Sequence, residues 1–291
     1  MAKKYIKLLR VNNYIKNLFV LLPLAPAKRL FELSVLPGVF FGLFAFCALS
    51  SAVYIFNDLC DVKRDTLHPE KKNRPVVIGE VSRKEAVVGI IILIIVSVSS
   101  NCVIAANPCS WILMAIYLLQ NILYSLKLKH IPIVDVVIIA NGFLIRALYG
   151  SCIFGIEMSV WLYLSVVSIA LYMGFGKRRA ELAVVDGVST RKVLRFYGHA
   201  FLERCMYVCS ALTVSFYSFW CFDTTVISDF GYARIIWTIP FVAIICMAFN
   251  FAVRKSRTDD VVDILYKNLN LIILLVLYCI MMVCMIYWPN T

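Results

Sequence analysis

Apolar runs of membrane-crossing length, with nearly every charge confined to the gaps between them, leave this chain few ways to fold. Nine such runs can be drawn, at residues 14–32, 38–57, 86–106, 108–126, 131–154, 158–175, 200–222, 233–253 and 268–288. Most hold about twenty residues, the length a helix needs to cross a hydrocarbon core about 30 Å thick. Lipid offers the backbone no hydrogen-bond partner, so each run must satisfy its own N–H and C=O groups, as a helix does. The apolar share of the composition is 62%, against about 45–50% in soluble domains. The expected fold is all-α: a polytopic membrane protein, a bundle of nine transmembrane helices in one domain over residues 1–291. The first run is the least regular, because Pro23 and Pro26 interrupt it.

Lysine and arginine set the orientation. With the N-terminus inside, the inner segments 1–16, 58–85, 127–130, 176–199 and 254–267 hold 5, 7, 2, 6 and 4 of them, 24 of the chain's 29. Arg146 and Arg204 lie within or at the edge of runs, and Lys28, Arg29 and Arg234 fall outside. This bias predicts a cell-membrane protein with its N-terminus and polar chemistry cytoplasmic and its C-terminus outside. The net charge of +12 sits in short loops between spans, which argues against nucleic acid as a partner. Lys3, Lys4, Lys7 and Arg10 open the chain without an apolar core and cleavage site behind them, so no signal peptide is expected. Eleven cysteines, with no CxxC pair, lie mostly inside apolar runs; neither a structural zinc nor a disulfide framework is expected.

The stretch with the most chemistry follows the second run. It reads Asn57-Asp58-Leu59-Cys60-Asp61-Val62-Lys63-Arg64-Asp65, then Thr66-Leu67-His68-Pro69-Glu70-Lys71-Lys72-Asn73-Arg74-Pro75. If the run continues as a helix, Asn57, Asp61 and Asp65 stand at i, i+4 and i+8 on one face, with Asp58 beside them. Hard oxygen donors at the mouth of a membrane helix suit Mg2+, which binds one or two carboxylates and completes its shell with substrate phosphates. Lys71, Lys72 and Arg74 suit those phosphate oxygens. Asn57, Asp58, Asp61 and Asp65 are therefore the expected metal-holding and catalytic group. The competing reading is a solvated loop with helix-end charges.

Other inner segments add candidates for binding an anionic substrate. Lys16 closes Asn12-Asn13-Tyr14-Ile15-Lys16, where the first run begins; alone it reads as an interfacial lysine. Tyr54 lies one turn before Asn57. Lys127 and Lys129 occupy a tight connection after Tyr124, next to His130. Asp135 and Arg146, at i and i+11, fall on one helix face, and a charge that deep requires a partner in the bundle or a ligand. Lys177, Arg178 and Glu181 form a second charged cluster, with Asp186 and Gly187 after it. Glu181 could reach a metal or pair with Lys177 at i+4. Asp259, Asp260 and Asp263 read as a solvated loop without chemistry.

The pattern Asn57-Asp58-x-x-Asp61-x-x-x-Asp65, with Arg74-Pro75 and Gly79, resembles the UbiA-type intramembrane prenyltransferases. The branch it resembles most is the decaprenyl-phosphate phosphoribosyltransferases. That likeness is carried by Tyr14-Ile15-Lys16-Asn17, Tyr54-Ile55-Phe56-Asn57-Asp58, His68-Pro69-x-Lys71-x-x-Arg74-Pro75, Tyr124-Ser125-x-x-Leu128-Lys129, Val134-Asp135, Leu144-Ile145-Arg146-Ala147 and Gly176-Lys177-Arg178-x-Ala180-Glu181-Leu182. It runs from about residue 10 to 187.

The resemblance implies a nine-helix bundle of UbiA type with a Mg2+-diphosphate site at its cytoplasmic end. It implies transfer of 5-phosphoribosyl from phosphoribosyl pyrophosphate to a polyprenyl monophosphate, with release of diphosphate. Substrate contacts are expected from Lys16, Tyr54, Lys71, Arg74, Tyr124, Lys129, Arg146, Lys177 and Arg178. Relatives that use prenyl diphosphates carry a second Asp-x-x-x-Asp, where this chain has only Glu181 and Asp186. The alternatives are prenyl transfer from a prenyl diphosphate to an aromatic or other acceptor, and a transporter with the acids as an ion site. Prenyl chain length has no signature in apolar positions that all face lipid alike, and nothing in the residues selects between a monomer and a homo-oligomer.

Overall fold

The computed structural model of the chain describes residues 2–68, 71–104, 107–184, 192–224, 226–227, 235–256 and 261–287. The helices follow in order, with no strand among the described residues. A short basic helix α1 (Ala2–Leu9) leads into a 3-10 stretch, Val11–Leu24. Then come α2 (Leu36–Asp65), α3 (Arg83–Ile104), α4 (Pro108–Leu126), α5 (Val134–Phe154), α6 (Val160–Val184), α7 (His199–Cys221), α8 (Thr238–Lys255), α9 (Val261–Lys267) and α10 (Leu269–Tyr287).

Local chemistry explains where several of these begin and end. α2 has 30 residues, about 45 Å of helix, so its last turns overshoot the hydrocarbon core and carry Asn57–Asp65 to the rim of the bundle. α3 opens with a reciprocal capping box: Ser82 N–H donates to Glu85 Oε2 at 2.7 Å, and Glu85 N–H to Ser82 Oγ at 3.2 Å. α4 opens with Asn107, whose side chain accepts from Cys109 N–H at 3.0 Å, and has Pro108 at its first position. α5 closes on Gly155 in the left-handed conformation, φ 63°.

α2 packs on α3, α6 on α7, and α5 on both α6 and the Val11–Leu24 stretch. That last contact is very close. A Cβ on Gly150 of α5 would lie 1.9 Å from the Val20 carbonyl oxygen, so only glycine lets the first segment nest there. Two large apolar clusters form the core. One gathers Val20, Leu24, Phe46, Leu49, Ile145 and Tyr149; the other gathers Tyr172, Phe175, Met206, Trp220, Phe249 and Leu271. α3 and α10 turn rows such as Ile91, Ile92, Ile95 and Ile273, Val276, Leu277, Ile280 outward, as helices facing lipid do.

Seven helices, α2, α3, α4, α5, α6, α8 and α10, are long and apolar enough to cross a membrane by length and composition. A count of nine rests on two further segments. α7 has 23 residues, carries Glu203 and Arg204 in its early turns, and falls outside those seven. The first run is not an α-helix. It is a 14-residue 3-10 stretch containing Pro23, about 28 Å long at about 2.0 Å per residue. The expectation of no disulfide framework also needs one correction. Cys109 and Cys152 are bonded, with Cα atoms 6.1 Å apart, and join the start of α4 to the end of α5. They are 43 residues apart in sequence and come together only because α4 and α5 pack side by side.

Candidate active site

Asp58, Asp61 and Asp65 are only 1%, 3% and 4% exposed, so they are not solvated helix-end charges. Burying a carboxylate is costly unless it is paired and hydrogen-bonded, and each of these acids has a cation against it. Asp58 takes Arg10 and Arg74, the latter at 2.9 Å. Asp61 takes Lys129 at 2.7 Å and Arg64 at 3.5 Å. Asp65 takes Arg74. Three of the four cations come from other segments, so the acidic face of α2 ties together the N-terminus, the loop after α2 and the connection after α4. Asn57 joins them, its Oδ1 accepting from Ser125 Oγ at 3.2 Å.

Beside this face lie two adjoining cavities of about 120 and 110 Å3 that share Arg10, Tyr54, Asn121, Tyr124 and Lys177. The first adds Asn13, Lys16 and Arg146, with an apolar wall that includes Ile138, Ile139, Phe143 and Met173. The second adds Asn57, Lys71, Arg74 and Ser125. A larger cavity of about 350 Å3 adjoins through Arg10, Lys71 and Arg74 and reaches Lys7, Asn12 and Asp263. Among the described residues, the two inner cavities are lined by no His, Asp or Glu. Their charged lining is basic: Arg10 and Lys177 in both, Lys16 and Arg146 in the first, Lys71 and Arg74 in the second.

Most of the expected site residues converge here. Lys16, Tyr54, Asn57, Lys71, Arg74, Tyr124, Arg146 and Lys177 all line the chambers. Asp58, Asp61, Asp65 and Lys129 do not; Lys129 is paired with Asp61 and 1% exposed. Arg178 is also away from them, fully buried. Its Nε contacts Asp135 Oδ2 at 2.5 Å, Nη1 holds Glu181, and Nη2 donates to Tyr124 OH at 2.8 Å. Tyr197 OH donates to the other oxygen of Asp135 at 2.6 Å. Burial, with that hydrogen bond to Asp135, pushes the Tyr197 phenol well above its usual pKa and keeps it a donor. Glu181 therefore reaches Arg178, and Lys71 at 3.5 Å.

Asp135 and Arg146 share α5 but not a contact. Arg146 is held by Asn17 Oδ1 at 2.7 Å, Gly142 O at 2.6 Å and Tyr117 OH at 2.9 Å, with Phe46, Tyr117 and Phe143 rings around the guanidinium. A polar network satisfies the deep charge, and its exposed edge forms part of the first chamber.

Several lining residues went unmarked as site candidates in the sequence, among them Arg10, Asn121, Tyr117 and Asp263. Arg10 holds Asp58, lies 5.0 Å over the Tyr54 ring and borders all three cavities. It looked like one more inner-surface charge. Asn121 had no motif around it, and Asp263 belonged to a segment read as solvated loop. Pro69, Glu70, Asp186, Gly187, Arg234, Asp259 and Asp260 lie outside the described residues.

The donor set fits a hard divalent cation in chemistry: one amide oxygen and three carboxylates on one helix face. Among the described residues, no three His, Cys, Asp or Glu side chains form a cage. Of the four, Asn57 lines a chamber, and Asp58, Asp61 and Asp65 each have a protein cation against them.

A lipid-embedded helical bundle with a cationic chamber against an acidic helix end defines a membrane protein that handles anionic substrates. Residues 20–272 match the UbiA prenyltransferase family, and the chain belongs to that family. It is 30% identical over 288 residues to a decaprenyl-phosphate phosphoribosyltransferase of Corynebacterium glutamicum, covering 97% of this chain and 87% of that protein. It is 34% identical over 224 residues to the protein of the same name from Mycolicibacterium smegmatis, covering 75% of this chain and 70% of that one. In fold it is similar to a UbiA homolog from Archaeoglobus fulgidus bound to GPP and Mg2+, with TM-score 0.73 and 19% identity over 97% of this chain and 99% of that chain. The protein is thus a multi-pass membrane protein of this family.

Proposed function

We propose that the chain is a membrane phosphoribosyltransferase. It moves 5-phosphoribosyl from phosphoribosyl pyrophosphate to a polyprenyl monophosphate of the decaprenyl type and releases diphosphate. The observation that carries this reading is the chamber wall. Arg10, Lys71, Arg74 and Lys177 surround the polar second chamber, while Lys16 and Arg146 face the first, whose other side is apolar. Two polyanions, one with a hydrocarbon tail, match that division. The 30% identity to the Corynebacterium protein over almost the whole chain supports it.

In this reading Lys71, Arg74 and Lys177 bind the donor diphosphate and oppose the charge that builds as the C1–O bond breaks. Asn57 and Asp61 would hold Mg2+, with Asp58 and Asp65 supporting them, and the ion when bound supplies Lewis-acid neutralisation of the leaving diphosphate. The ribosyl carbon passes through an oxocarbenium-like state, as in glycoside chemistry. Lys16, at the apolar chamber, orients the lipid phosphate for attack on C1 from the opposite face. No general base is needed, because a phosphate monoester is already anionic near pH 7. The positive-inside bias supports a cytoplasmic location for this chemistry.

The test is transfer of label from phosphoribosyl pyrophosphate into the lipid fraction, with a polyprenyl phosphate and Mg2+ supplied and a prenyl diphosphate as the contrasting donor. Labelled phosphoribosyl lipid is the expected product. A folded preparation that makes none with several polyprenyl phosphates, or that consumes only the prenyl diphosphate, sinks the reading.

A further inference from the structure

Two residues of the loop after α2 reach the second chamber, and they are anchored differently. Arg74 lies on acids of α2 itself, Asp58 and Asp65. Lys71 is held from two sides. Its backbone N–H donates to Nδ1 of buried His68 at 3.3 Å, and its ammonium lies 3.5 Å from Glu181 Oε1 on α6. The other Glu181 oxygen is taken by Arg178. This fully buried carboxylate is therefore divided between two cations. Charge balance leads to the same place: Arg178 brings one positive charge against Asp135 and Glu181, and Lys71 supplies the second.

An ammonium on a four-carbon stem has many rotamers to lose on binding an anion. A carboxylate fixed on a rigid helix removes part of that freedom beforehand. We propose that Glu181 is a positioning residue that presets Lys71 for the phosphate oxygens of the donor, and that it does not ligate metal. The substrate in this statement rests on the phosphoribosyl-transfer reading; the geometry does not.

The experiment uses the full chain in lipid nanodiscs, comparing wild type with Glu181→Gln, Glu181→Asp, Lys71→Ala and the double variant Lys71→Ala with Glu181→Gln. With no substrate present, an amine-labelling reagent and mass spectrometry report the reactivity of Lys71. In Glu181→Gln, Lys71 should label several-fold faster while exposed Lys72 is unchanged. Unchanged Lys71 labelling overturns the proposal whatever the activity. Kinetically, Glu181→Gln should raise the donor KM about tenfold, the size of one charge-assisted contact, with kcat and the Mg2+ requirement near wild type. Glu181→Asp should recover part of the loss, and it carries the labelling test if the glutamine variant does not fold. The double variant should be no worse in KM than Lys71→Ala alone. Additive losses, or a weakened Mg2+ requirement at unchanged donor KM, overturn the proposal. Faster Lys71 labelling in a protein whose wild type transfers no phosphoribosyl leaves the positioning intact and removes the substrate reading.

Discussion

The C-terminal ends of α2 and α6 hold the same kinds of side chain under different access. On α2, buried acids meet Arg10, Arg74 and Lys129 from other segments, and the cluster borders a chamber through Asn57, Arg74 and Arg10. On α6, Arg178 is sealed between Asp135 and Glu181, with Tyr124 and Tyr197 closing the network. In the proposed function the first arrangement exchanges a protein cation for a ligand or a metal. In the second, Arg178 and Glu181 are buried away from the chambers and meet their walls only at second hand, through Tyr124 and Lys71 among the described contacts. Residue type alone does not separate a binding cluster from a structural one; what borders the cluster does.

That contrast can be broken at several strengths. Arg178→Ala should have the largest effect, because it strands Asp135 and Glu181 in the interior. Breaking a buried pair costs about 3–5 kcal/mol, so thermal unfolding in detergent should show loss of the folded protein or a large fall in Tm. A small change would mean that the α6 cluster is more open than its burial indicates. Asp61→Asn keeps an acceptor for Lys129, so the fold should hold while turnover drops about 10²–10³-fold, the range for losing one preorganised electrostatic partner. Wild-type rates in that variant would move Asp61 to the structural side of the comparison. Chelation of divalent metal should stop transfer reversibly and leave Tm nearly unchanged; a large fall in Tm would make the α2 site a structural one. Lys71→Ala should raise the donor KM about tenfold with little change in kcat. Lys16→Ala should have the smallest effect, a few-fold rise in the KM for the lipid acceptor, as expected of a half-buried charge at the chamber's edge.

Much of this arrangement was legible in the sequence, and the gaps have physical causes. The i, i+4, i+8 spacing of Asn57, Asp61 and Asp65 requires only that α2 continue beyond the membrane, and it does. Which cation meets which acid was not legible, because Arg10, Arg74 and Lys129 arrive through tertiary packing. Asp135 and Arg146 illustrate the limit of periodicity. Eleven residues put them on one face but about 16 Å apart along the axis, so each finds its own partners. Arg10 carried no local signal at all, since one more basic residue on the inner surface is what orientation alone would produce.

Arg10 also holds a left-handed backbone, φ 52°, at the joint between α1 and the Val11–Leu24 stretch. That conformation suits glycine and strains other residues by about 1–3 kcal/mol. A glycine there would relax the joint but take from buried Asp58 one of its two cations, and losing a buried charge partner, about 3–5 kcal/mol, outweighs the strain relieved. The bent backbone at position 10 is thus the counterpart of an ion pair: the chain tolerates an unfavourable turn because the side chain it carries neutralises an acid that has no water to turn to.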